Sequence, residues 1–346
     1  MASYTSIALD MLRHSPPSRS CKHWDPSTMP LLQDRIVIIT GPSSGIGYET
    51  LRQLVLSSAH VYMFGRNLDK LRATASTIAA ECRRELAGLA VGHARYGAEV
   101  GRMTPVQCDL GSLDSVQRAV DEFLSKEERV DVVLCNAGVM ESGKTVDGYE
   151  IMWGTNVLGH HALLRLLLPA LQASARLRNS AVTGETRVVL TSSDTHRWIN
   201  KPSHLTPAGL DNPDRAGLGY VHLYGRSKLG NILTAKTLAA ASDAHNWGIT
   251  VASAHPGGVK SQLGSTNSLL TRLKNWFLVP ATLGAVTQLW AATAANSELI
   301  HGRYLVPWAA VGEESDLAKD PSVAQTAWDW CEQQCTKHGL NLQDWP

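Results

Sequence analysis

The chain has 346 residues, enough for one large α/β domain or two small ones. A net charge of +1 leaves no basic field to hold nucleic acid or an anionic membrane surface, so neither is expected as a partner. Hydrophobic residues at 44% and charged residues at 18% exclude a disordered chain and suit a domain with a large core.

The first thirty residues carry Pro16-Pro17, several serines and little periodicity, and they read as an N-terminal extension without a secretory signal. Residues 31–346 then read as a single domain. From residue 35, short apolar runs alternate with longer helical patterns. Arg35–Thr40 is β-branched and continuous, as a strand buried on both faces should be. His60–Phe64, Val106–Cys108, Val130–Cys135, Arg187–Ser192 and Thr250–His255 are the further strands expected. Helices are expected over 46–57, 69–86, 149–172 and 224–242, and 88–102 reads as an inserted loop. Such alternation implies an α/β fold, a Rossmann-type doubly wound parallel sheet with helices on both faces.

The most apolar stretch, 276–295, is broken by Pro280, Gly284 and Gln288, and no run of about 18 apolar residues is present to span a bilayer. Near the end, Asp320 and Pro321 open a terminal helix running to His338, with Gly339 after it; Trp328 and Trp330 are its packing residues. Six cysteines at 21, 82, 108, 135, 331 and 335 form neither a CxxC pair nor a Cys/His cluster of zinc spacing, so no metal is expected. Cys331 and Cys335 read as packing residues. This usage fits a reducing compartment, and a cytoplasmic location is expected.

Thr40-Gly41-Pro42-Ser43-Ser44-Gly45-Ile46-Gly47 lies between the first strand and the first helix. Glycines there let the backbone turn tightly and approach a pyrophosphate, and the helix N-terminus presents amides to the anion. The second strand ends Phe64-Gly65-Arg66-Asn67. A site selective for NAD places an acid near this point to grip the ribose 2′-hydroxyl. Here Arg66 stands instead, and a guanidinium can pair with a 2′-phosphate; NADP(H) is the expected cofactor.

Tyr224 and Lys228 are four positions apart in a helical pattern, so they share one face. A neighbouring ammonium, with the positive nicotinamide, is expected to favour the tyrosine phenolate; lowering its pKa by three units would take about 4 kcal/mol. Ser193 closes an apolar strand 31 positions before Tyr224, where strand ends border the ligand crevice. It is placed to hydrogen-bond the substrate oxygen, with Ser192 facing elsewhere.

Together these words resemble the short-chain dehydrogenase/reductase family over roughly residues 24–310. Residues 40–47 match its TGxxxGIG. Cys108-Asp109-Leu110 matches the strand-end acid that contacts adenine, and Cys135-Asn136-Ala137-Gly138 matches NNAG with a cysteine in first place. The resemblance implies that Asn156 supports a proton-relay water, that Ser193, Tyr224 and Lys228 are catalytic, and that Lys228 also holds the nicotinamide ribose. It implies too that His255-Pro256-Gly257-Gly258-Val259 meets the nicotinamide side. Ser261 sits where many relatives have threonine and keeps a hydroxyl for the cofactor phosphate. The words 64–67, 224–231 and 302–307 are similar to the retinol-dehydrogenase-like and WW-domain-oxidoreductase-like branch, which has many fungal secondary-metabolism members.

The segment 261–279 holds Leu263, Leu269, Leu270, Leu273, Trp276, Phe277 and Leu278. It reads equally as an amphipathic helix packed on the core or, by the resemblance, as a cover over an apolar substrate. An insertion containing Pro202, Pro207 and Pro213 is expected at the substrate entrance. His196 and His222 flank the pocket as surface or capping residues. The alternative to an enzyme is a non-catalytic NADP(H)-binding scaffold that senses redox state. An epimerase or dehydratase would need a larger C-terminal substrate domain. Oligomeric state stays open, with a homodimer or homotetramer as the expectations.

Overall fold

The computed structural model describes residues 24–212, 217–259 and 279–343. Strands β1 (Ile36–Thr40), β2 (His60–Gly65), β3 (Met103–Gln107), β4 (Val132–Cys135), β5 (Arg187–Thr191), β6 (Thr250–Ala254), β7 (Tyr304–Val306) and β8 (Ala310–Val311) form one sheet in the order β3-β2-β1-β4-β5-β6-β7-β8. Every pair is parallel except β7 with β8. The major helices are α1 (Gly45–Leu56), α2 (Leu68–Ala87), α3 (Leu113–Leu124), α4 (Gly159–Leu177), α5 (Tyr220–Ala244), α6 (Ala281–Thr293) and α7 (Pro321–Lys337).

The strand alternation feeds two cores. Ile36, Ile38, Tyr62, Phe64, Val133, Cys135, Val188 and Leu190 pack with residues of α3, α4, α5 and α7. Val37, Ile39, Val61, Met63, Val132, Leu134 and Val189 pack with residues of α1, α2 and α6. Both faces are therefore apolar, which is why these strands read as unbroken hydrophobic runs rather than as alternation. Pro105 is tolerated in β3 because that strand is the sheet edge.

Several boundaries differ from those expected. The third strand begins at Met103, and the helix expected over 149–172 is really three consecutive pieces. A turn at Ile151–Trp153 leads into a π-helical segment, Gly154–Leu158, and then α4. Part of the expected extension belongs to the packed domain. Asp25 caps the 3-10 turn at Pro26–Thr28, and Met29 is buried in the second core. The terminal helix forms as expected: the Asp320 carboxylate accepts from the amides of Ser322 and Val323. Glu332 then binds Arg165 Nε at 2.6 Å and His161 Nε2 at 2.7 Å, tying α7 to α4.

Candidate active site

The strand order reverses between β1 and β4, and the crevice outside such a switch point is where an open parallel sheet binds ligands. The glycine-rich turn leaves β1 there. Gly41 has φ +65° and Gly45 φ +55°, left-handed values that cost glycine little. A Cβ on Gly47 would lie 2.3 Å from the Gly41 carbonyl oxygen, so only glycine permits the turn to close on α1. The Asn136 side chain donates to the Thr40 carbonyl at 2.9 Å, and the Ala137 amide donates to Thr40 Oγ1 at 2.9 Å. These bonds lock the loop after β4 to the turn after β1.

Around Asn136 to Val139, two of the expected residues, Asn156 and Lys228, come together. A Cβ on Gly138 would sit 3.2 Å from Lys228 Nζ and 3.4 Å from Asn156 Oδ1. Asn156 is fully buried: its Oδ1 accepts from the Val139 amide at 2.7 Å, and its Nδ2 donates to Val139 O and Ser227 Oγ. Its side chain therefore clamps the loop after β4 to α5. Lys228 lies on α5, with Nζ donating to Thr191 O at 3.0 Å and standing 5.5 Å from the Tyr224 ring centre. Ser192 turns away, donating to Lys228 O at 2.8 Å, while Ser193 Oγ accepts from the Thr195 amide at 3.3 Å.

A family model described as short chain dehydrogenase matches residues 35–195. A short-chain dehydrogenase/reductase of Armillaria gallica is 33% identical over 316 residues, 90% of this chain and 94% of the relative. The chain belongs to the short-chain dehydrogenase/reductase family. Retinol dehydrogenase 14 of Homo sapiens is 33% identical, covering 86% of this chain and 85% of that one. Among solved structures, an uncharacterized protein from Mycobacterium paratuberculosis superposes with a TM-score of 0.67 at 27% identity, covering 91% of this chain and 98% of its own. Members of the short-chain dehydrogenase/reductase family are oxidoreductases that act on CH–OH and carbonyl groups with nicotinamide cofactors.

The residues present in this short-chain dehydrogenase/reductase fit such a group. Nothing lies within 4 Å of where a Cβ on Gly45 would be, so the start of α1 is open to a ligand. Ser43 and Ser44 precede it, with Ser44 exposed, and Arg66 is exposed just past the end of β2. Asp109 follows β3, its carboxylate accepting from the Gly111 amide at 2.9 Å. Gly257, with φ +85°, and Pro256 follow β6. A Cβ on Gly284 would meet both Val259, at 2.7 Å, and Ile46, at 3.0 Å, which brings the segment after β6 to the glycine-rich turn. Ser261 and nearly all of the expected cover segment lie outside the described residues, as does Pro213.

Of the two cations expected to favour the Tyr224 phenolate, Lys228 and the nicotinamide, the polypeptide supplies only the first, and it is not enough. Burial raises the Tyr224 phenol well above 10, and the Lys228 ammonium, directed at Thr191 O, does not offset it. Burial also lowers Lys228, from 10.5 to about 8. His222 is exposed as expected, but His196 is fully buried and so is not a surface residue. Three supporting residues were not singled out from sequence. His160 bridges Thr40 Oγ1 and Asn156 O, both at 2.9 Å; Asn231 Nδ2 donates to Thr191 O at 2.9 Å; Gln288 joins Thr191 Oγ1 to Asn136 Oδ1. His160 and Asn231 stand four and three positions after Asn156 and Lys228, so helical spacing was the available signal. Among the described residues no group of side chains has the makings of a metal site.

Proposed function

We propose that this short-chain dehydrogenase/reductase uses NADP(H) to interconvert an alcohol with a ketone or aldehyde on an apolar small molecule, as in secondary-metabolite biosynthesis. The observation that supports the reading is that Lys228 Nζ stands 5.5 Å from the Tyr224 ring and beside Gly138 of the clamped loop 136–139, while bonded to Thr191 O at the end of β5, two residues before Ser193. The cofactor would be held by the turn from Gly41 to Gly47, by Asp109, Asn136, Ala137 and Gly138, by Pro256, Gly257 and Val259, and by Tyr224 and Lys228. It supplies or accepts the hydride.

Ser193 takes the Thr195 amide on its oxygen, which leaves its hydroxyl proton to donate to a substrate carbonyl. Tyr224, held protonated by burial, is the acid that delivers a proton to that oxygen. Lys228, a buried cation bonded to Thr191 O, suits the hydroxyls of the nicotinamide ribose. Arg66, with no carboxylate in the word Phe64-Gly65-Arg66-Asn67, suits a 2′-phosphate. An apolar substrate is supported by the similarity to a protein named for retinol and by the leucine-rich composition of 261–279. The described cysteines, buried and free of disulfides, support a reducing cytoplasmic setting.

The test is consumption of NADPH, against NADH, over a panel of bulky apolar ketones and aldehydes, with Tyr224→Phe as control. NADPH-selective turnover that the variant loses, while still binding cofactor, is the expected result. Unchanged activity in Tyr224→Phe would refute it, and tight NADPH binding with no turnover would favour a redox-sensing scaffold.

A further inference from the structure

The sequence suggests a surface or capping role for His196, yet it is fully buried, three residues after the serine that follows β5. Its ring makes two directional bonds. Nδ1 donates to the Ser193 carbonyl oxygen at 2.7 Å, and Nε2 accepts from the Ser315 amide at 3.1 Å. A carbonyl oxygen only accepts and an amide N–H only donates, so the two partners together demand the neutral Nδ1–H tautomer. Burial, which lowers the His196 pKa to about 4, keeps that form present at neutral pH.

The consequences run to the serine hydroxyl. Ser193 is the N-cap of the 3-10 turn Asp194–Trp198, with extended backbone angles, φ −156° and ψ 155°. Its carbonyl receives both the His196 amide at 3.2 Å and the His196 ring. The turn so fixed presents the Thr195 amide to Ser193 Oγ and thereby sets the direction of the hydroxyl proton. On its other side the imidazole is wedged edge-on against Tyr304 of β7, with ring centres 4.9 Å apart, and Tyr304 is itself fully buried. The segment that supplies Ser315 also supplies Glu313, whose carbonyl accepts from Arg197. Two residues of the one turn therefore grip the chain just after β8. A small cavity of about 280 Å³ lies here, lined by Asp194, Arg197, His255, Val306, Gly312 and Glu313.

We propose that His196 is a positioning residue for Ser193, pinning the turn that aims the serine hydroxyl to the segment after β8. The inference rests on Ser193 acting as the proposed function describes. Its geometry can be tested separately by exchange measurements that need no substrate.

Three variants separate the two bonds. Asparagine at 196 can place an amide N–H where Nδ1 stands, glutamine can place an oxygen where Nε2 stands, and alanine supplies neither. His196→Asn should keep kcat within about threefold of wild type, whereas His196→Gln and His196→Ala should lose about ten- to a hundred-fold in kcat with cofactor KM unchanged. In a Ser193→Ala background, His196→Ala should add no further loss in kcat, because its effect passes through the serine. Equal losses in both backgrounds, or equal kcat for the asparagine and glutamine variants, would overturn the assignment.

Hydrogen–deuterium exchange supplies the arm that needs no turnover. Amides of 193–198 should be protected in the unaltered protein and exchange faster in His196→Gln than in His196→Asn. Rapid exchange of that turn in the wild-type chain would overturn the pin whatever the enzyme's substrate. A failure of Tyr224→Phe to lose activity would instead strike the catalytic reading.

Discussion

Replacing Lys228 with methionine should make the protein more stable and catalytically dead. The ammonium is buried, 3% exposed, with Thr191 O at 3.0 Å as its hydrogen-bond acceptor. Burial lowers its pKa from 10.5 to about 8, which at about 1.4 kcal/mol per unit is a folding cost of about 3 kcal/mol. The folded pKa lies below the unfolded one, so the unfolded chain binds the extra proton. Below pH 8 the lysine is charged in both states and the full cost is present. Between pH 8 and 10.5 stability rises with pH, and above 10.5 the cost is gone. Methionine fills similar space without a charge, and Thr191 O keeps the Asn231 amide at 2.9 Å. A gain of about 1–3 kcal/mol at pH 7 is expected, after allowing about 1 kcal/mol for the lost hydrogen bond. Urea unfolding of the two proteins without cofactor, at pH 7 and at pH 10, reads the difference. A variant that is less stable at pH 7, or a difference that does not shrink toward pH 10, would refute the reasoning.

Arg66→Ala should weaken NADPH about ten- to a hundred-fold in a fluorescence titration and leave NADH unchanged, and equal weakening of both would refute the phosphate contact. Asn156→Ala strips partners from Val139 N, Val139 O and Ser227, and should cost about 3 kcal/mol in urea unfolding. Asp131 should contribute to acid stability. Burial alone would raise its carboxyl, but hydrogen bonds from Arg178, Ser174 and the Ile36 amide outweigh that and hold it below its ordinary value. Its contribution is therefore complete above an unfolded pKa of about 4 and lost as pH falls through the folded value. Asp131→Asn should flatten the acid limb of a stability-versus-pH curve and cost about 3–5 kcal/mol at pH 7.

The sheet was legible because its strands are buried on both faces, so that runs such as Ile36–Thr40 declare themselves without any alternation to find. Tyr224 and Lys228 were legible because helical spacing alone puts them together. β7 and β8 were not: three and two residues carry no period, and only their pairing with β6 and with each other makes them strands. His196 was missed for a related reason. A histidine in a loop between two prolines and a strand end looks exposed, and what buries it, Tyr304 and Ser315, comes more than a hundred positions later. The phenol of Tyr224 is expected to be lowered by a cation four positions away acting with the nicotinamide, and the lysine alone does not lower it. Spacing gives proximity, but it does not show that the cation points at a carbonyl or that burial is the larger effect.

The π-helical segment Gly154–Leu158 amounts to one residue more than an α-helix of the same span would hold. The wide turn takes up that residue locally, so the turns on either side keep the phase of one helix. Removing a residue such as Thr155 would therefore restore regular winding and leave Met152 and Trp153 in the core; its cost would fall inside the turn, on the bearing of Asn156 toward Val139. A single-codon deletion here should spare the fold and strike the clamp on the loop after β4, whereas the same deletion in the regular turns of α4 would rotate one side of the helix by about 100°.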